Sequence, residues 1–289
     1  MTDRVCVYHS GDLDGICSAA IVRRKHPDID LIPWNYGQEI PWRRLEKKEV
    51  WLVDLTWKPK DMVFLLEGVT DLHWIDHHAD AIQQAWNAFD EEEKFRIKGA
   101  RSFHVSAAFM TWLYCFPDWE EPPDIVADIS LWDTWQWKKH ENPGEIEAIQ
   151  FYLRSLSLTP ESEDWTMLFG VLRTNVLYRD FVRAGQHMVR YQKAQNELAA
   201  KKIFVTHLGD WPVVALNGPN VSSVVFDSIK GRYPEINIFL SFNWVDGHWI
   251  CSLRSNGNFD VSELAREYGG NGHPGAAGFV CDDLPFELR

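Results

Sequence analysis

The feature that most constrains the fold is a series of short apolar runs that each end in a residue able to ionise. Three such runs are followed directly by His9, Asp54 and Asp76. Segments with helical spacing separate the runs, and strands that alternate with helices predict a parallel sheet with crossover helices on both of its faces. Because sites in such sheets form at the carboxyl ends of the strands, we expect these three residues to meet there.

The length of 289 residues predicts two domains rather than one core. Residues 164–202 have apolar positions at helical spacing and end in two lysines, which favours one long helix. Beyond it, Asp246 and Gly247 mark a hairpin between strand-like runs. The predicted organisation is an α/β domain over residues 1–185, a connecting helix over 186–202 and a smaller α+β domain over 203–289.

Composition excludes several classes of protein. No apolar run reaches the roughly 18 residues of a membrane span, and the first ten residues lack a signal-peptide core, so we expect a cytoplasmic protein. The net charge of −13 argues against long duplex DNA as a partner, because phosphate contacts need a basic face. The five Cys residues include no CxxC pair and predict neither a disulfide framework nor a zinc knuckle.

The first candidate site is the loop that contains His9, Asp12 and Asp14. Imidazole and carboxylate ligands suit manganese, iron or zinc better than calcium. Gly11 and Gly15 are expected to provide the unusual backbone angles of such a loop. The alternative is a polar turn in which an Asp caps the next helix.

The second and third candidates are Asp76-His77-His78 and the isolated Asp54. Three adjacent titratable groups at a strand end are costly unless solvent or a cation neutralises them. On an extended backbone the two His side chains point in opposite directions, so that one binds metal and the other faces a substrate. Asp54 bridges two metals in the functional interpretation, and forms a salt bridge or a helix cap in the alternative.

A fourth candidate is Asp133 in the run Ile129-Ser-Leu-Trp-Asp-Thr-Trp135. It either caps a helix end or is the last ligand of a second metal, and Asp128 competes for the ligand role. The fifth is the glycine-rich segment 269–278, whose backbone N–H groups suit an anion. Upstream, Arg254 has the geometry to clamp a phosphate. The predicted substrate-binding residues are Arg254, Ser255, Gly270, Gly272 and His273.

Taken together, these motifs resemble the DHH phosphoesterase family with its associated C-terminal substrate domain. The resemblance is carried by His9-x-x-Asp12-x-Asp14-Gly15, Asp54, Asp76-His77-His78 and the segment GGNGHPGAAG at 269–278. They occur in the family's order and extend from about residue 5 to 280. The family's terminal motif usually reads GGGH, and Asn271 replaces one of its glycines here.

The resemblance implies an enzyme with two divalent ions, expected to be Mn²⁺, although Mg²⁺ and Co²⁺ also fit. His9 and Asp12 would hold one ion, Asp14, His77 and Asp133 would hold the other, and Asp54 would bridge them. Asp76 would orient a ligand or bind directly, and His78 would assist at the scissile phosphate. The C-terminal domain would close over the cleft, with the long helix as the connection.

The expected substrate is a short oligonucleotide, cleaved to mononucleotides. Trp34, Tyr36 and Trp135 are candidates for stacking a base, although core packing is the expected role of at least two of them. The alternatives are 3′-phosphoadenosine 5′-phosphate, polyphosphate and a cyclic dinucleotide. A non-catalytic nucleotide sensor would have no reason to keep the ligand set. The sequence leaves room for a homodimer.

Overall fold

The computed structural model describes residues 3–118, 121–218, 224–227 and 229–287. The chain divides into two compact units, Met1–Val189 and Arg190–Arg289. None of the helices in these described ranges combines the length and the apolarity that a bilayer crossing requires.

A parallel sheet forms the centre of the first unit. Its strands in the described ranges are β1 Arg4–His9, β2 Asp30–Trp34, β3 Glu49–Val53, β4 Asp71–Ile75 and β5 Ile97–Lys98. They lie in the order β2-β1-β3-β4-β5, and each pair is parallel. The strands β1, β3 and β4 are therefore neighbours, and their carboxyl ends lie side by side.

Helices cover both faces of this sheet. They are α1 Leu13–Lys25, α2 Trp42–Leu45, α3 Pro59–Gly68, α4 Ala79–Trp86, α5 Glu91–Arg96, α6 Ala107–Cys115, α7 Asp124–Asp133, α8 Pro143–Ser155, α9 Asp164–Leu168 and α10 Val176–Ala199. Successive strand residues point to opposite faces, so Cys6 joins a core with α1, α6, α7 and α8. Val5 and Val7 join a second core with α2, α3 and α4. The predicted α/β fold is confirmed.

The second unit contains a mixed sheet. Its described strands are β6 Phe204–Leu208, β7 Trp211–Asn217, β8 Ile238–Val245, β9 His248–Ser255, β10 Asn271–His273 and β11 Ala276–Cys281. The order is β10-β11-β9-β8-β7-β6, with β7 and β8 parallel and the other pairs antiparallel. The described helices are α11 Val224–Asp227 and α12 Val261–Glu267. The predicted smaller α+β character is confirmed, as is the hairpin at Asp246 and Gly247, which both have positive φ.

The single long helix predicted over residues 164–202 is wrong, because α9 and α10 are separate helices; α10 covers most of the predicted connecting segment 186–202. The chain leaves the helical conformation between α9 and α10. There the backbone N–H of Arg173 donates to Asp124 Oδ2 at 2.7 Å, a tertiary contact that replaces a bond of the helical ladder. Helical spacing alone does not detect such a competing partner.

The glycine-rich segment 269–278 is not the open loop that the sequence suggested, because β10 and β11 form an antiparallel hairpin there. A Cβ at Gly270 would lie 2.0 Å from the carbonyl oxygen of Gly278, and one at Gly272 would lie 2.3 Å from Cα of Ala277. These glycines are therefore needed for the close approach of neighbouring backbone.

Candidate metal centre

The first loop places His9 and Asp12 together at the end of β1. Asp12 caps α1, and its Oδ1 accepts the backbone N–H of Gly15 at 3.1 Å. Its Oδ2 lies 3.4 Å from His9 Nε2. The capping interpretation and the ligand interpretation are thus compatible, because each uses a different oxygen.

The expectation that Gly11 and Gly15 supply unusual backbone angles is wrong, since neither has a positive φ. Glycine is required at both positions for a steric reason instead. A Cβ at Gly11 would lie 2.9 Å from His9 Nε2, and one at Gly15 would lie 2.0 Å from the carbonyl oxygen of His9. The glycines let the loop wrap closely around His9.

Asp14 is buried in the first turn of α1 and faces the N-terminus of α6. Its two oxygens accept the backbone N–H groups of Ala107 and Ala108 at 2.8 and 2.9 Å. Burial raises the pKa of Asp14, and repulsion from Asp133 raises it further, while His77 lowers it. The helix N-terminus is a favourable partner for this buried charge.

Asp54 follows β3 with a left-handed backbone, φ 57°. Its side chain is 1% exposed, and both carboxylate oxygens lack a hydrogen-bond partner among the described residues. Burial and the neighbouring Asp14 raise the pKa of Asp54 well above its usual range. A buried carboxylate without partners is destabilising, so this side chain needs a cation.

Asp76 is fully occupied by protein donors. Its Oδ1 accepts the backbone N–H of His77 at 2.7 Å and pairs with Nδ1 of His78 at 2.7 Å. Its Oδ2 accepts the hydroxyl of Thr56. Burial raises the pKa of Asp76, but the bonds from His78 and Thr56 outweigh it and hold the pKa below its usual value. This geometry favours a positioning role over direct ligation.

The ring of His77 faces three carboxylates. Its Nε2 lies 3.0 Å from Asp133 Oδ2, 3.4 Å from Asp54 Oδ1 and 3.8 Å from Asp14 Oδ2. Burial lowers the pKa of His77, but the nearby carboxylates of Asp133, Asp54 and Asp14 prevail and raise it to about 11. In the metal-free chain, a protonated His77 thus provides charge that a cation would otherwise supply.

The expectation that His77 and His78 point in opposite directions is wrong. Nδ1 of His78 lies 3.9 Å from Asp54 Oδ1, and the two ring centroids are 4.5 Å apart. The backbone turns at His78, with φ −74° and ψ 89°, to begin α4, so it is not extended there. Both rings consequently approach Asp54.

The structure separates the two competing Asp residues of α7. Asp133, the last residue of the helix, faces His77. Asp128 is buried, forms an ion pair with Arg173 and accepts the hydroxyl of Tyr178 at 2.8 Å. A separation of five residues turns about 140° around the helix axis, which directs the two carboxylates to different surroundings.

The donor set fits divalent cations. Two groups offer ligand atoms that all lie within 4.8 Å of one another, namely Asp54 with His77 and His78, and Asp14 with His77 and Asp133. In the described part of the chain, His9 Nδ1, His77 Nε2 and both oxygens of Asp54 are buried without a hydrogen-bond partner. Carboxylates and imidazoles whose lone pairs converge in this way are the ligands of Mn²⁺ and similar ions.

Three of the predicted substrate-binding residues of the second unit form hydrogen bonds with groups close to them in the chain. Arg254 Nη1 donates to the carbonyl oxygen of Leu253 at 3.0 Å, and Ser255 Oγ accepts the N–H of Gly257 at 3.0 Å. The N–H of Gly270 donates to the carbonyl oxygen of Ala265 at 2.8 Å, which removes it as an anion donor in this conformation. The side chain of His273 lies outside the described part of the structure. A phosphate-binding role for these residues stays a prediction.

Of the three predictions of base stacking, the one for Trp34 is wrong, because this side chain is 6% exposed and lies in the core. Tyr36 and Trp135 are 54% and 64% exposed. Sequence reasoning missed Thr56, whose only signal was a polar residue two positions after Asp54. It also missed Arg154, which approaches the ring of Trp132 from α8.

Comparison with known proteins gives matches for each part of the chain. Residues 214–287 match the model of the DHHA1 domain. An uncharacterized protein of Acanthamoeba polyphaga mimivirus is 22% identical over 309 residues, which cover 98% of this chain and 69% of that protein.

Solved structures resemble the chain over nearly all of its length. The DHH domain of a protein described as a member of a ribosomal protein family has a TM-score of 0.56 at 15% identity, and the match covers 96% of this chain and 83% of that one. An exonuclease RecJ bound to manganese has a TM-score of 0.48 at 15% identity, over 96% and 86% of the two chains. The DHHA1 match thus covers most of the second unit, and the chain shares the fold of a solved DHH domain.

Proposed function

We propose that this chain is a phosphoesterase that requires two divalent ions and hydrolyses short oligonucleotides to mononucleotides. The observation that carries the proposal is the burial of the Asp54 carboxylate without a hydrogen-bond donor in the described part of the chain. Its two unpartnered oxygens are buried beside both groups of converging ligands. The described contacts of Asp54 are with His77 Nε2 at 3.4 Å and His78 Nδ1 at 3.9 Å, which belong to the same site, and a pair of bridged cations would satisfy both carboxylate oxygens.

The ligands divide between two ions. His9 and Asp12 would hold one, Asp14, His77 and Asp133 would hold the other, and Asp54 would contact both. The mixture of imidazole and carboxylate favours Mn²⁺, and Mg²⁺ and Co²⁺ fit the same donors. Two bound cations would acidify a water molecule and offset the charge that develops on the phosphoryl oxygens.

His78 is proposed to act on the phosphate. Asp76 engages its Nδ1, which fixes the ring and leaves Nε2 to meet a phosphoryl or leaving-group oxygen. Thr56 in turn holds Asp76. The chain thus contributes an oriented imidazole, and Asp76 and Thr56 act through it as positioning residues.

The substrate proposal rests on charge and on exposed rings. The net charge of −13 disfavours a long nucleic acid or a long polyphosphate, which need a basic track. The ring of Tyr36 lies 5.8 Å from that of His9, and Trp135 follows Asp133 by two positions in the sequence. Both residues are exposed and provide stacking surface for a base. Arg254, Ser255, Gly270, Gly272 and His273 are proposed to hold a terminal phosphate.

The test is hydrolysis with Mn²⁺ of four substrates: a 5′-labelled RNA dinucleotide, a longer RNA, 3′-phosphoadenosine 5′-phosphate and polyphosphate. We expect fast cleavage of the dinucleotide and slow cleavage of the longer RNA. We expect Asp54→Asn to remove this activity, and the exposed Asp28→Asn to retain it. Release of phosphate from the bisphosphate or polyphosphate alone would replace the substrate proposal, and Mn²⁺ binding without any turnover would favour a nucleotide sensor.

A further inference from the structure

Aromatic rings and cations alternate in space around Asp133. Arg154 Cζ lies 5.6 Å from the ring centroid of Trp132, and the rings of Trp132 and Trp137 stack at 4.7 Å with an interplanar angle of 22°. Lys138 Nζ lies 5.6 Å from the ring of Trp137 and 5.1 Å from that of Trp135. We call these five side chains the cation–aromatic ladder; Trp135 is its exposed end.

Two rings of the ladder flank the candidate metal ligand Asp133 in the sequence. Trp132 and Trp135 bracket Asp133, whose Oδ2 lies 3.0 Å from His77 Nε2. Because consecutive Cα atoms are about 3.8 Å apart, the Cα atoms of Asp133 and Trp135 are separated by at most about 7.6 Å. A nucleotide spans that distance from a phosphate to its base.

The backbone that carries Trp135 is fixed before any ligand binds. The hydroxyl of Thr134 donates to the carbonyl oxygen of Ser130 at 2.7 Å. The N–H of Trp135 donates to the carbonyl oxygen of Trp132 at 3.1 Å. Gln136 Nε2 donates to the carbonyl oxygen of His104 at 2.7 Å, which ties the segment to the loop before α6. A platform held in this way loses little entropy on binding.

Core packing does not explain the position of Trp135. The residue has a left-handed backbone with φ 60° and ψ 12°, which is unfavourable for a bulky side chain and costs on the order of 1 kcal/mol or more. Its side chain nonetheless remains 64% exposed. Lys138 covers part of the ring, so the exposed remainder is available to a flat ligand.

We propose that Trp135 is the stacking platform for a nucleobase of the substrate, and that Lys138 supports the ring with its positive charge. This inference rests on the proposed function, and it narrows the substrate to a phosphoester that carries a base on the Asp133 side of the scissile phosphate. A polyphosphate chain has no group that would use this surface.

The experiment measures binding without turnover. The ligand is an RNA dinucleotide in which a methylenephosphonate replaces the scissile linkage, and its matched control carries abasic riboses. Both are titrated calorimetrically into the full chain with Mn²⁺. Trp135→Asn removes the ring with a residue that tolerates a left-handed backbone, and Trp135→Phe keeps a ring. Phe95→Ala is the control, since Phe95 is an exposed aromatic residue in α5.

We expect Trp135→Asn to weaken the base-containing ligand by ~10-fold or more, the scale of stacking of one base on an aromatic side chain. Trp135→Phe should retain most of the affinity, and the abasic ligand should bind all variants alike. An equal loss for both ligands, an unchanged affinity in Trp135→Asn, or no binding of the dinucleotide by the unaltered chain would each overturn the inference.

Hydrolysis is measured separately on the natural dinucleotide, so the two proposals fail independently. If the chain bound the base through Trp135 but did not hydrolyse the dinucleotide, the stacking proposal would hold and the proposed activity would be rejected. If Trp135→Asn hydrolysed the dinucleotide with an unchanged KM, the proposed activity would hold and the stacking proposal would be rejected. Circular dichroism and the thermal midpoint establish that each variant is folded before it is compared.

Discussion

At the scale of the residue, stability and ligand binding oppose each other at Asp54. The side chain combines burial, a positive φ and two unpartnered oxygens. Each of these features lowers the stability of the metal-free chain, and together they leave a carboxylate open to a cation. Asp128 shows the opposite case, because Arg173 and Tyr178 satisfy its buried charge.

Asp54→Asn is therefore expected to stabilise the metal-free protein while it weakens the metal site. The neutral amide is easier to bury, so in EDTA we expect a free energy of unfolding higher by roughly 1–3 kcal/mol. Mn²⁺ should raise the thermal midpoint of the unaltered chain and not that of the variant, because a ligand stabilises only the state that binds it. Urea unfolding in EDTA and in Mn²⁺ tests both, with Asp28→Asn as control. Equal stabilisation by Mn²⁺ in both chains would contradict the assignment.

His73, which is not part of the candidate metal centre, is expected to make the stability of the protein depend on pH. Its ring stacks on Trp51 at 4.2 Å, and its Nδ1 lies 2.9 Å from the hydroxyl of Tyr114. Burial lowers the pKa of His73 to about 4, although Glu49 opposes the shift. An unfolded His titrates near ~6.5, so the unfolded chain binds the proton more tightly.

The contribution of His73 is thus fully present above about pH 6.5 and is lost as the pH falls towards about 4. We expect it to reach roughly 3 kcal/mol. Urea unfolding at a series of pH values would be compared with that of His73→Phe, which keeps a ring against Trp51 but does not titrate. Parallel pH profiles for the two proteins would rule out the predicted shift.

At the scale of the element, the sequence predicted the central strands of the first sheet well, and the helix boundaries and the β10–β11 hairpin less well. The apolar runs before His9, Asp54 and Asp76 identify β1, β3 and β4, because strands buried on both faces require such runs. The interruption before α10 depends on the contact between Arg173 and Asp124, which has no local signal. The choice between Asp128 and Asp133 likewise required the orientation of α7.

A close approach of two helices gives a prediction at this scale. Gly185 of α10 faces α8, where a Cβ would lie 1.9 Å from the carbonyl oxygen of Ala148. Replacement of Gly by Ala inside a helix normally stabilises by about 1 kcal/mol. Here the helices would have to separate, so we expect Gly185→Ala to destabilise by about 1–3 kcal/mol.

The comparison is Gly144→Ala at the start of α8, where a Cβ would meet no atom within 4 Å. Chemical unfolding of both variants measures the difference. A gain in stability for Gly185→Ala would show that α8 and α10 are not in contact at this point.

At the scale of the whole molecule, each unit has cores of its own. Two clusters lie on the faces of the first sheet, and two others lie on the second sheet. The residues of both candidate ligand groups belong to the first unit. The sequence indicated this division through the change from βα alternation to hairpins, but the cation–aromatic ladder around Asp133 depends on tertiary contact with α8 and was not predictable.

Mn²⁺ should therefore stabilise one part of the chain selectively. In differential scanning calorimetry we expect two transitions in EDTA, of which Mn²⁺ raises only the one that belongs to the first unit. Fluorescence does not assign them alone, since Trp residues occur in both units, so limited proteolysis at intermediate temperature would identify the unit that opens first. A uniform shift of both transitions would mean that the units unfold together.

The two oxygens of Asp12 have different partners, and this has a consequence for how related chains diverge. One oxygen caps α1 and the other faces His9, so a descendant that abandoned catalysis would still be selected to keep Asp12 for its helix. Asp76 is protected in the same way by Thr56 and His78. Asp54 forms no comparable structural hydrogen bond through its side chain among the described residues. Its replacement in a homologue is therefore the informative mark of lost activity, whereas an intact Asp12 or Asp76 attests only that the fold has been inherited.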